Sequence, residues 1–500
     1  MKKLVELVRV VNKNKIKSIE IIGSNTDNDT KLMQLYNGIQ GGKINSDDDA
    51  VAYLYPDSDD RNAYYKLKHV LKDRLHNTLF FIDTKESKFT DLKRAYLECQ
   101  RLLSLFNILN VKGAKQNALS CGEKALKIAL KYEFTHEVIT ISRSLTNYYA
   151  PLVGDRKKLE YLHQLIEEHI ELYLKETIAE NHYQKILSLY ANDRSTKEEV
   201  FEISSNYIRD LEDYSTPKES SNLVYFTAML LIAKYMSVND YQRALEVCTK
   251  SIAKIRSHHF LNTRAYFALS GNHLICCIQL KKYQEGEQLV ADLMQMVELS
   301  TINWFKINEL YFTLSLHTQN YQQAYECYQK VRAQKKFRSL IPSVKETWII
   351  YGAWTHLLLI TGRAQPPAGE RPPTFRIQKF VNEVPTFSKD KQGLNIPILI
   401  SQIFLLLQQK KYDTILDRME AIAQYKYRYL NYEQNFRSNI FIRMLLEVPK
   451  GNFRRVQVIK RTEKLRPRLD EVPLEIASQS HDLEIIPYED AWKILLELLE

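Results

Sequence analysis

The chain repeats one local pattern, in which an apolar, helix-like run is followed by a short polar break, a tyrosine and a second helix-like run. The polar break lets the chain reverse, and the tyrosine ring can pack in the bend, so each copy predicts a helical hairpin. Because one hairpin cannot bury its apolar face alone, successive hairpins are predicted to stack on their neighbours. The four tyrosine-marked breaks lie at 239–244, 281–286, 319–324 and 410–415.

A small residue follows the tyrosine by three positions in three of these breaks, where it permits two helices to approach closely. The three residues are Ala244, Gly286 and Ala324. Together with the segment 325–331, Tyr-Glu-Cys-Tyr-Gln-Lys-Val, these breaks resemble the start of the second helix of the tetratricopeptide repeat. The resemblance extends from about residue 223 to about residue 422. It implies an all-α fold, a right-handed superhelical α-solenoid.

Breaks without the tyrosine extend the series in both directions. Their centres lie near residues 113, 155, 193, 362 and 451, so about nine helical hairpins are predicted. The mean spacing is about 42 residues. It exceeds the roughly 34 residues of the standard tetratricopeptide repeat, which predicts longer helices of roughly 15 to 20 residues. The solenoid is expected to cover 91–470, with a proline-rich insertion at 365–374 that is incompatible with helix.

Residues 1–90 differ from the repeats and are predicted to form a small helical domain. Ser46 is followed by three aspartates, which predicts an N-cap and a short helix through Tyr55. A long helix is predicted from Arg61 to Phe81. Three short helices closed by a long one resemble a helix-turn-helix or winged-helix fold, and this resemblance implies a DNA-binding domain.

The charge of this N-terminal region weighs against DNA binding. Residues 1–90 contain 15 Lys and Arg and 13 Asp and Glu, a net charge of +2, whereas DNA affinity depends on the neutralisation of phosphates. Lys68 and Lys72 on the long helix are the candidate nucleic-acid contacts, and a solvated helix face explains them equally well. Two interpretations stay open: an N-terminal cap or interaction domain, which the charge favours, and a helix-turn-helix domain.

Composition narrows the class of protein. Glycine makes up 14 of the 500 residues, under half the usual share of roughly 7%, which favours helices. The six cysteines include no CxxC pair, so neither a disulfide framework nor a zinc ligand set is predicted. No apolar stretch reaches the roughly 18 to 20 residues of a membrane span, and the N-terminus lacks the apolar region of a signal peptide. A cytoplasmic protein without a membrane contact is expected.

Common catalytic and cofactor motifs are absent from the sequence. It contains no GxxxxGK[ST], GxGxxG, HExxH or GxSxG, which removes the phosphate-loop, dinucleotide, zincin and hydrolase interpretations. No catalytic residue, no metal site and no cofactor is predicted. The chain is therefore expected not to be an enzyme.

Charge is concentrated near the C-terminus. Residues 425–468 contain 12 basic and three acidic side chains, a net charge of +9, whereas 469–500 carry −8. The simplest interpretation is that the acidic tail, 471–500, folds back to cap and neutralise the last repeat. The alternative is that the basic surface stays free and receives an acidic partner. The candidate partner-binding residues are Lys389, Lys391, Arg428, Arg437, Asn439, Arg454, Arg455, Lys460 and Arg461.

The tail ends in a predicted helix that begins at Pro487. Its apolar stripe consists of Trp492, Leu495, Leu496 and Leu499. The stripe is predicted either to pack on the last hairpin or to dock in the groove of a partner or of a second copy, which would give self-association. Three motifs of this C-terminal third resemble an uncharacterised family of bacterial cytoplasmic repeat proteins, a resemblance that implies no activity. These motifs are Phe-Ser-Lys-Asp-Lys at 387–391, Phe-Arg-Ser-Asn at 436–439 and Glu-Ile-Ile-Pro-Tyr-Glu-Asp at 484–490.

These patterns favour a non-enzymatic scaffold or adaptor that binds a protein or peptide, acidic in character, through its helical-repeat surface. Two other functions remain open. One is a transcription regulator that combines the helix-turn-helix with a repeat sensor domain. The other is an RNA-binding solenoid, because a basic groove that carries tyrosines suits single-stranded RNA.

Overall fold

The computed structural model describes residues 30–58, 60–79, 91–150, 155–191, 197–214, 216, 218–369, 375–383, 395–429, 435–474 and 484–499. Within these ranges the chain forms 22 α-helices and no strand, so the predicted all-α class is confirmed. None of the helices described there is both long and apolar enough to cross a bilayer.

The helices of the first half of the chain are α1 (Lys31–Gln40), α2 (Asp47–Leu54), α3 (Arg61–Leu79), α4 (Asp91–Val111), α5 (Lys115–Lys131), α6 (Thr135–Tyr148), α7 (Arg156–Ala191), α8 (Lys197–Glu212), α9 (Ser221–Ser237) and α10 (Tyr241–Ser257). Those of the second half are α11 (Thr263–Gln279), α12 (Tyr283–Met296), α13 (Ile302–His317), α14 (Tyr321–Arg332), α15 (Pro342–Ile360), α16 (Ile377–Glu383), α17 (Asn395–Gln408), α18 (Tyr412–Tyr429), α19 (Phe436–Lys450), α20 (Arg455–Thr462), α21 (Arg466–Glu471) and α22 (Tyr488–Leu498). The chain forms two compact units, Met1–Ile170 and Glu171–Glu500, and α7 contributes to both.

The first unit contains two apolar cores. Helices α1, α2 and α3 pack together around one of them, which includes Leu35, Ala50 and Tyr64. The predicted N-cap of α2 is confirmed: the Ser46 hydroxyl accepts a hydrogen bond from the Asp49 N–H at 3.1 Å, and the Asp49 carboxylate accepts one from the Ser46 N–H at 3.0 Å. This capping box satisfies two backbone donors that the helix itself leaves unpaired. Helices α4 to α6 and the first part of α7 enclose the other core.

The second unit is a succession of helices in which sequence neighbours pack on each other. Alternate helices also touch: α9 contacts α11, α11 contacts α13, and α15 contacts α17. Helices α9, α11 and α13 are buried on nearly all sides, whereas α10, α12 and α14 bury one side. A helix that is apolar all round needs neighbours on every side, so the first set forms the inner helices of this packing.

The same turn recurs at the end of nine helices in the described part of the chain. In each, one residue has a left-handed φ and the next N–H donates to the carbonyl five residues earlier, which is the hydrogen-bond pattern of a Schellman motif. The left-handed residues are Gly42, Gly113, Glu133, Asn239, Lys281, Gln319, Gly362, Lys410 and Asn452. Seven of these turns lie at breaks predicted from the sequence, and only two of those seven have a glycine at the left-handed position, so this chain reverses with few glycines.

Other predictions about the repeats meet mixed outcomes. The turn at Glu133 falls between two predicted breaks, and α7 has 36 residues, well beyond the predicted helix length. The predicted break at 193 and the second half of the proline-rich insertion lie outside the described residues. The first residue of that insertion, Gln365, is held by Gln322 of α14, with amide-to-carbonyl distances of 3.0 and 3.2 Å.

The small residues after the tyrosines have the predicted environment. Ala244 and Ala324 are fully buried, and Gly286 is buried as well. A Cβ atom added to Gly286 would lie 2.4 Å from Cδ2 of Leu314 on α13. Because that distance is far below van der Waals contact, the absence of a side chain is what lets α12 and α13 pack this closely.

Two glycine-to-alanine substitutions should change stability in opposite directions. Gly362 has a φ of +68°, and no atom lies within 4 Å of an added Cβ, so Gly362→Ala is expected to lower the free energy of unfolding by roughly 1–2 kcal/mol through backbone strain alone. Gly271 lies inside α11 with equal space around it. There alanine should raise the free energy of unfolding by roughly 0.5–1 kcal/mol. Urea unfolding of the two variants measures both effects, and equal signs would contradict the turn geometry.

Candidate partner-binding surface

Helices α19, α20 and α21 carry most of the basic residues that the charge pattern singled out. Helix α20 packs on α19 and the turn before it through two buried side chains, Val458 and Thr462. The close approach depends on Gly451, where an added Cβ would lie 2.8 Å from Cγ2 of Val458. The remaining side chains of this short helix face solvent.

Five exposed residues of this segment form what we call the α20 surface: Arg454, Arg455, Val456, Ile459 and Lys460. At 3.6 residues per turn, the four that lie on α20 itself cover an arc of about 140°. Val456 is 80% exposed and Ile459 is 45% exposed. These two apolar residues were not predicted from the sequence, although their spacing of three on a basic helix is a signal that could have identified them.

The basic groups of the α20 surface are exposed and have no ion pair with the described residues. Among the described residues, no carboxylate forms an ion pair with Arg454, Arg455 or Lys460. The neighbouring Arg461 differs, because its Nε lies 2.8 Å from Glu447, which also accepts a hydrogen bond from Lys450 at 2.6 Å. The hydrogen bond from Lys450, with a further one from Arg461, lowers the pKa of Glu447.

Arg437 corrects one of the sequence-based assignments. The structure places its side chain in the interior, with no exposed surface, so this residue is not offered to a partner. Its guanidinium donates to both carboxylate oxygens of Glu484 at 2.6 and 3.0 Å and to Glu489 at 2.7 Å. It also donates to the carbonyl oxygens of Leu469 and Val472, at 3.0 and 2.8 Å. The basic segment 425–468 therefore includes one arginine, Arg437, whose side chain stabilises the fold and does not face solvent.

The other candidates in this third of the chain divide into two groups. Asn439 is buried, and its amide donates to the carbonyl oxygen of Asn435 at 3.0 Å, which also removes it from the docking surface. Lys389 and Lys391 lie outside the described residues, as does the side chain of Arg428.

The acidic tail packs on its own chain in the described range 484–499. Tyr488 stacks on Phe441 of α19 with ring centroids 4.2 Å apart, and Trp492 is buried beside the same ring. The tail also reaches α13, where His317 Nε2 lies 2.8 Å from the carbonyl oxygen of Glu484. It therefore contacts helices as far apart in the sequence as α13 and α19, and not only the last hairpin.

The acidic groups of the described tail pair with basic residues away from the α20 surface. Glu484 and Glu489 hold Arg437, and Glu497 forms a bidentate pair with Arg363 at 2.6 and 2.8 Å. The hydrogen bond from Arg363 is the main cause of the lowered pKa of Glu497, and the charge of Arg455 contributes less. The tail thus neutralises Arg437 and Arg363, while the α20 surface keeps its exposed positive groups.

The two nucleic-acid candidates of the N-terminal region have different surroundings. Lys68 Nζ lies 2.6 Å from an oxygen of Asp47, which also accepts a hydrogen bond from the Tyr64 hydroxyl at 2.6 Å. The hydrogen bond from Lys68 lowers the pKa of Asp47. Lys72 is exposed. The two lysines are about one turn apart on α3, and Asp47 offsets the charge of the first of them.

A third group of residues could hold a metal ion. One donor atom each from His273, Cys277 and Glu285 lies within 4.8 Å of the others, and no other such group occurs in the described part of the chain. This set was not predicted from the sequence, because the six cysteines contain no CxxC pair. A His and a Cys four residues apart on one helix was the available signal.

Comparisons of the chain with protein-family models, with curated proteins and with solved structures find no match.

Proposed function

We propose that this chain is a non-enzymatic helical-repeat scaffold, a right-handed α-solenoid, that binds an acidic segment of a protein partner through the α20 surface. The packing of alternate helices and the recurring Schellman turn support the solenoid, because both repeat the same local geometry along the second unit. In such folds each repeat contacts its neighbours and leaves long surfaces for partners.

The observation that carries the proposal is the combination of charge and apolar area on the α20 surface. Arg454, Arg455 and Lys460 lie beside Val456 and Ile459, all exposed. Between Arg454 and Arg468 the sequence has seven basic residues and one acidic residue. Complementary charge speeds association and selects partners, while the apolar side chains supply contact area that water-exposed charges alone lack. An acidic segment that also carries apolar side chains complements both the positive charge and the apolar area of this surface.

The tail gives an intramolecular example of the chemistry proposed for the partner. Its acidic groups pair with arginines of the repeats, and its aromatic residue Tyr488 stacks on Phe441. The helices of the second unit thus already bind one acidic segment with an aromatic residue, the tail of the same chain. We expect the external partner to use the same two kinds of contact on the α20 surface.

Charge reversal tests the α20 surface. The variant Arg454→Glu/Arg455→Glu/Lys460→Glu should weaken binding of an acidic partner by at least about tenfold and reverse the sign of its salt dependence, because three attractive charges become repulsive and salt screens that repulsion. The control is Lys115→Glu/Lys124→Glu/Lys127→Glu on α5, which changes the net charge equally at exposed sites. Affinity pull-down with quantitative mass spectrometry identifies the partner. Titration of the purified partner at two salt concentrations then measures its affinity and the salt dependence of that affinity.

The outcome separates the candidate functions. Equal binding by both charge-reversed variants would contradict the α20 surface. Loss of the captured material after nuclease treatment would instead favour the RNA-binding solenoid. The regulator with a helix-turn-helix stays a prediction, and a gel-shift with the full chain and Lys72→Glu tests it.

A further inference from the structure

One hairpin of the second unit brings three metal-binding side chains together. His273 and Cys277 are four residues apart on α11, so they share one face of that helix. The chain reverses at Lys281, and Glu285 in the first turn of α12 comes back over this face. Nε2 of His273 lies 2.8 Å from Oε1 of Glu285, and one donor atom of each residue lies within 4.8 Å of the others.

The repeat fold does not require these three residues. The neighbouring hairpins have the same Schellman turn, so the equivalent positions can be counted from it. At the preceding turn they are Leu231, Tyr235 and Arg243, and at the following turn Tyr311, Ser315 and Gln323. Helix packing is thus achieved elsewhere without a nitrogen, a sulfur and an oxygen donor at these places. The set is specific to the α11–α12 hairpin.

We propose that His273, Cys277 and Glu285 form a binding site for a divalent metal ion of the zinc type. Imidazole nitrogen, cysteine sulfur and carboxylate oxygen are the ligands that zinc uses in proteins, and three protein ligands leave the fourth tetrahedral position for water or an outside ligand. Proteins use this ligand number where the metal meets another molecule. The hairpin would therefore present a metal with one exchangeable position.

The burial of the donors supports the site independently of their spacing. His273 is only 7% exposed, and its Nδ1 has no hydrogen-bond partner. The nitrogen that faces Glu285 is Nε2, so the unpartnered Nδ1 is a separate feature of this buried ring. Cys277 is fully buried, whereas Glu285 is partly exposed and gives the site an opening to solvent.

Metal binding at this site would be coupled to proton release. Zinc is ligated by a thiolate and by a neutral imidazole, so the thiol of Cys277 would lose its proton to solvent when the metal binds.

Lys282 competes with the metal for the same carboxylate. Its Nζ lies 3.8 Å from Oε2 of Glu285 and 3.4 Å from Oε1 of Gln242. A bound dication would repel this ammonium. Removing the charge with Lys282→Met should therefore tighten zinc binding, an effect that a purely structural His273–Glu285 hydrogen bond does not predict.

Cobalt and zinc titrations of the full-length, reduced, tag-free chain test the proposal. We expect one Co²⁺ per chain with a thiolate-to-cobalt charge-transfer band, displaced by Zn²⁺. The Cys277→Ser variant should lose the band. The matched control is Cys276→Ser, since Cys276 is the adjacent buried cysteine and its thiol faces Cys248 instead. Glu285→Gln, at a partly exposed position that tolerates change, should weaken Zn²⁺ binding by more than about tenfold.

Three results would overturn the site. They are the absence of a charge-transfer band, equal loss of the band in Cys276→Ser and Cys277→Ser, and unchanged Zn²⁺ affinity in both Glu285→Gln and Lys282→Met. The last two variants change side chains that are not fully buried, so the test does not depend on whether Cys277→Ser folds. None of these substitutions should affect binding of a partner to the α20 surface.

Discussion

Replacing Arg437 by methionine is expected to lower the free energy of unfolding by about 3–5 kcal/mol. The guanidinium is fully buried and satisfies Glu484, which is buried as well. Methionine fills a similar volume but leaves the Glu484 carboxylate without its counter-charge in the interior, and an uncompensated buried charge is far more costly than a lost surface pair. Urea unfolding followed by circular dichroism measures the change.

The pH dependence of this variant follows from the same burial. Burial raises the pKa of Glu484 even with Arg437 present, and removal of the arginine raises it further. A carboxyl group with a raised pKa in the folded chain binds its proton more tightly there than in the unfolded chain, so stability falls as pH rises above the ordinary pKa of glutamate. The loss caused by Arg437→Met should thus be smaller at about pH 5 than at about pH 8.

Two further variants isolate the cause. Arg454→Met removes a positive charge from the exposed α20 surface, where substitution should change stability by less than about 0.5 kcal/mol. Arg437→Lys keeps the charge but offers three donors instead of five, so its stability should fall between the wild type and Arg437→Met. If Arg437→Met were as stable as Arg454→Met, the buried ion pair would have no role in holding the tail.

Truncation of Trp492 to alanine is the second change with a large expected effect, a loss of about 3–5 kcal/mol. This indole is buried against Phe441 in an edge-to-face contact, with ring centroids 6.3 Å apart. Alanine would remove the contact and leave a cavity between α22 and α19. Because this contact anchors α22, the loss should also appear as faster amide hydrogen exchange in 484–499.

The adjacent Lys493 provides the control, because its side chain is half exposed and, within the described ranges, its ion pair is with Asp490 three residues earlier. Lys493→Ala should leave stability within about 0.5 kcal/mol of the wild type. Slow exchange in 484–499 of the Trp492→Ala variant would show that the tail is held by its ion pairs rather than by its apolar stripe.

Local features of this protein could be predicted from its sequence because their causes are local. The capping box at Ser46, the small residue at Gly286 and most of the polar breaks each depend on a few consecutive residues. The turn at Glu133 was missed because this residue lies between two aromatic residues, Tyr132 and Phe134, and not in a polar break. Turn residues of that kind carry little signal when tertiary packing rather than propensity sets the backbone.

The α20 surface and the His273–Cys277–Glu285 site depend instead on tertiary packing. Charge counting assigned Arg437 and Arg454 to the same surface, and only the fold separates them: α21 and the tail enclose Arg437, while Arg454 stays exposed. Likewise, Glu285 reaches His273 because the hairpin closes at Lys281. Burial and the distance between side chains depend on which elements pack together, and no single segment contains that information.

The sequence by itself determined the all-α class, the positions of most reversals and the excess of positive charge before residue 469. These follow from hydrophobic spacing, turn chemistry and composition, which act over a few residues. Only the tertiary structure decided which arginines are exposed, where the acidic tail lies and which donors meet at the α11–α12 hairpin. The physical reason is that desolvation and ion pairing depend on three-dimensional neighbours, and those neighbours come from up to 171 residues away, as in the pair Gln319–Asp490.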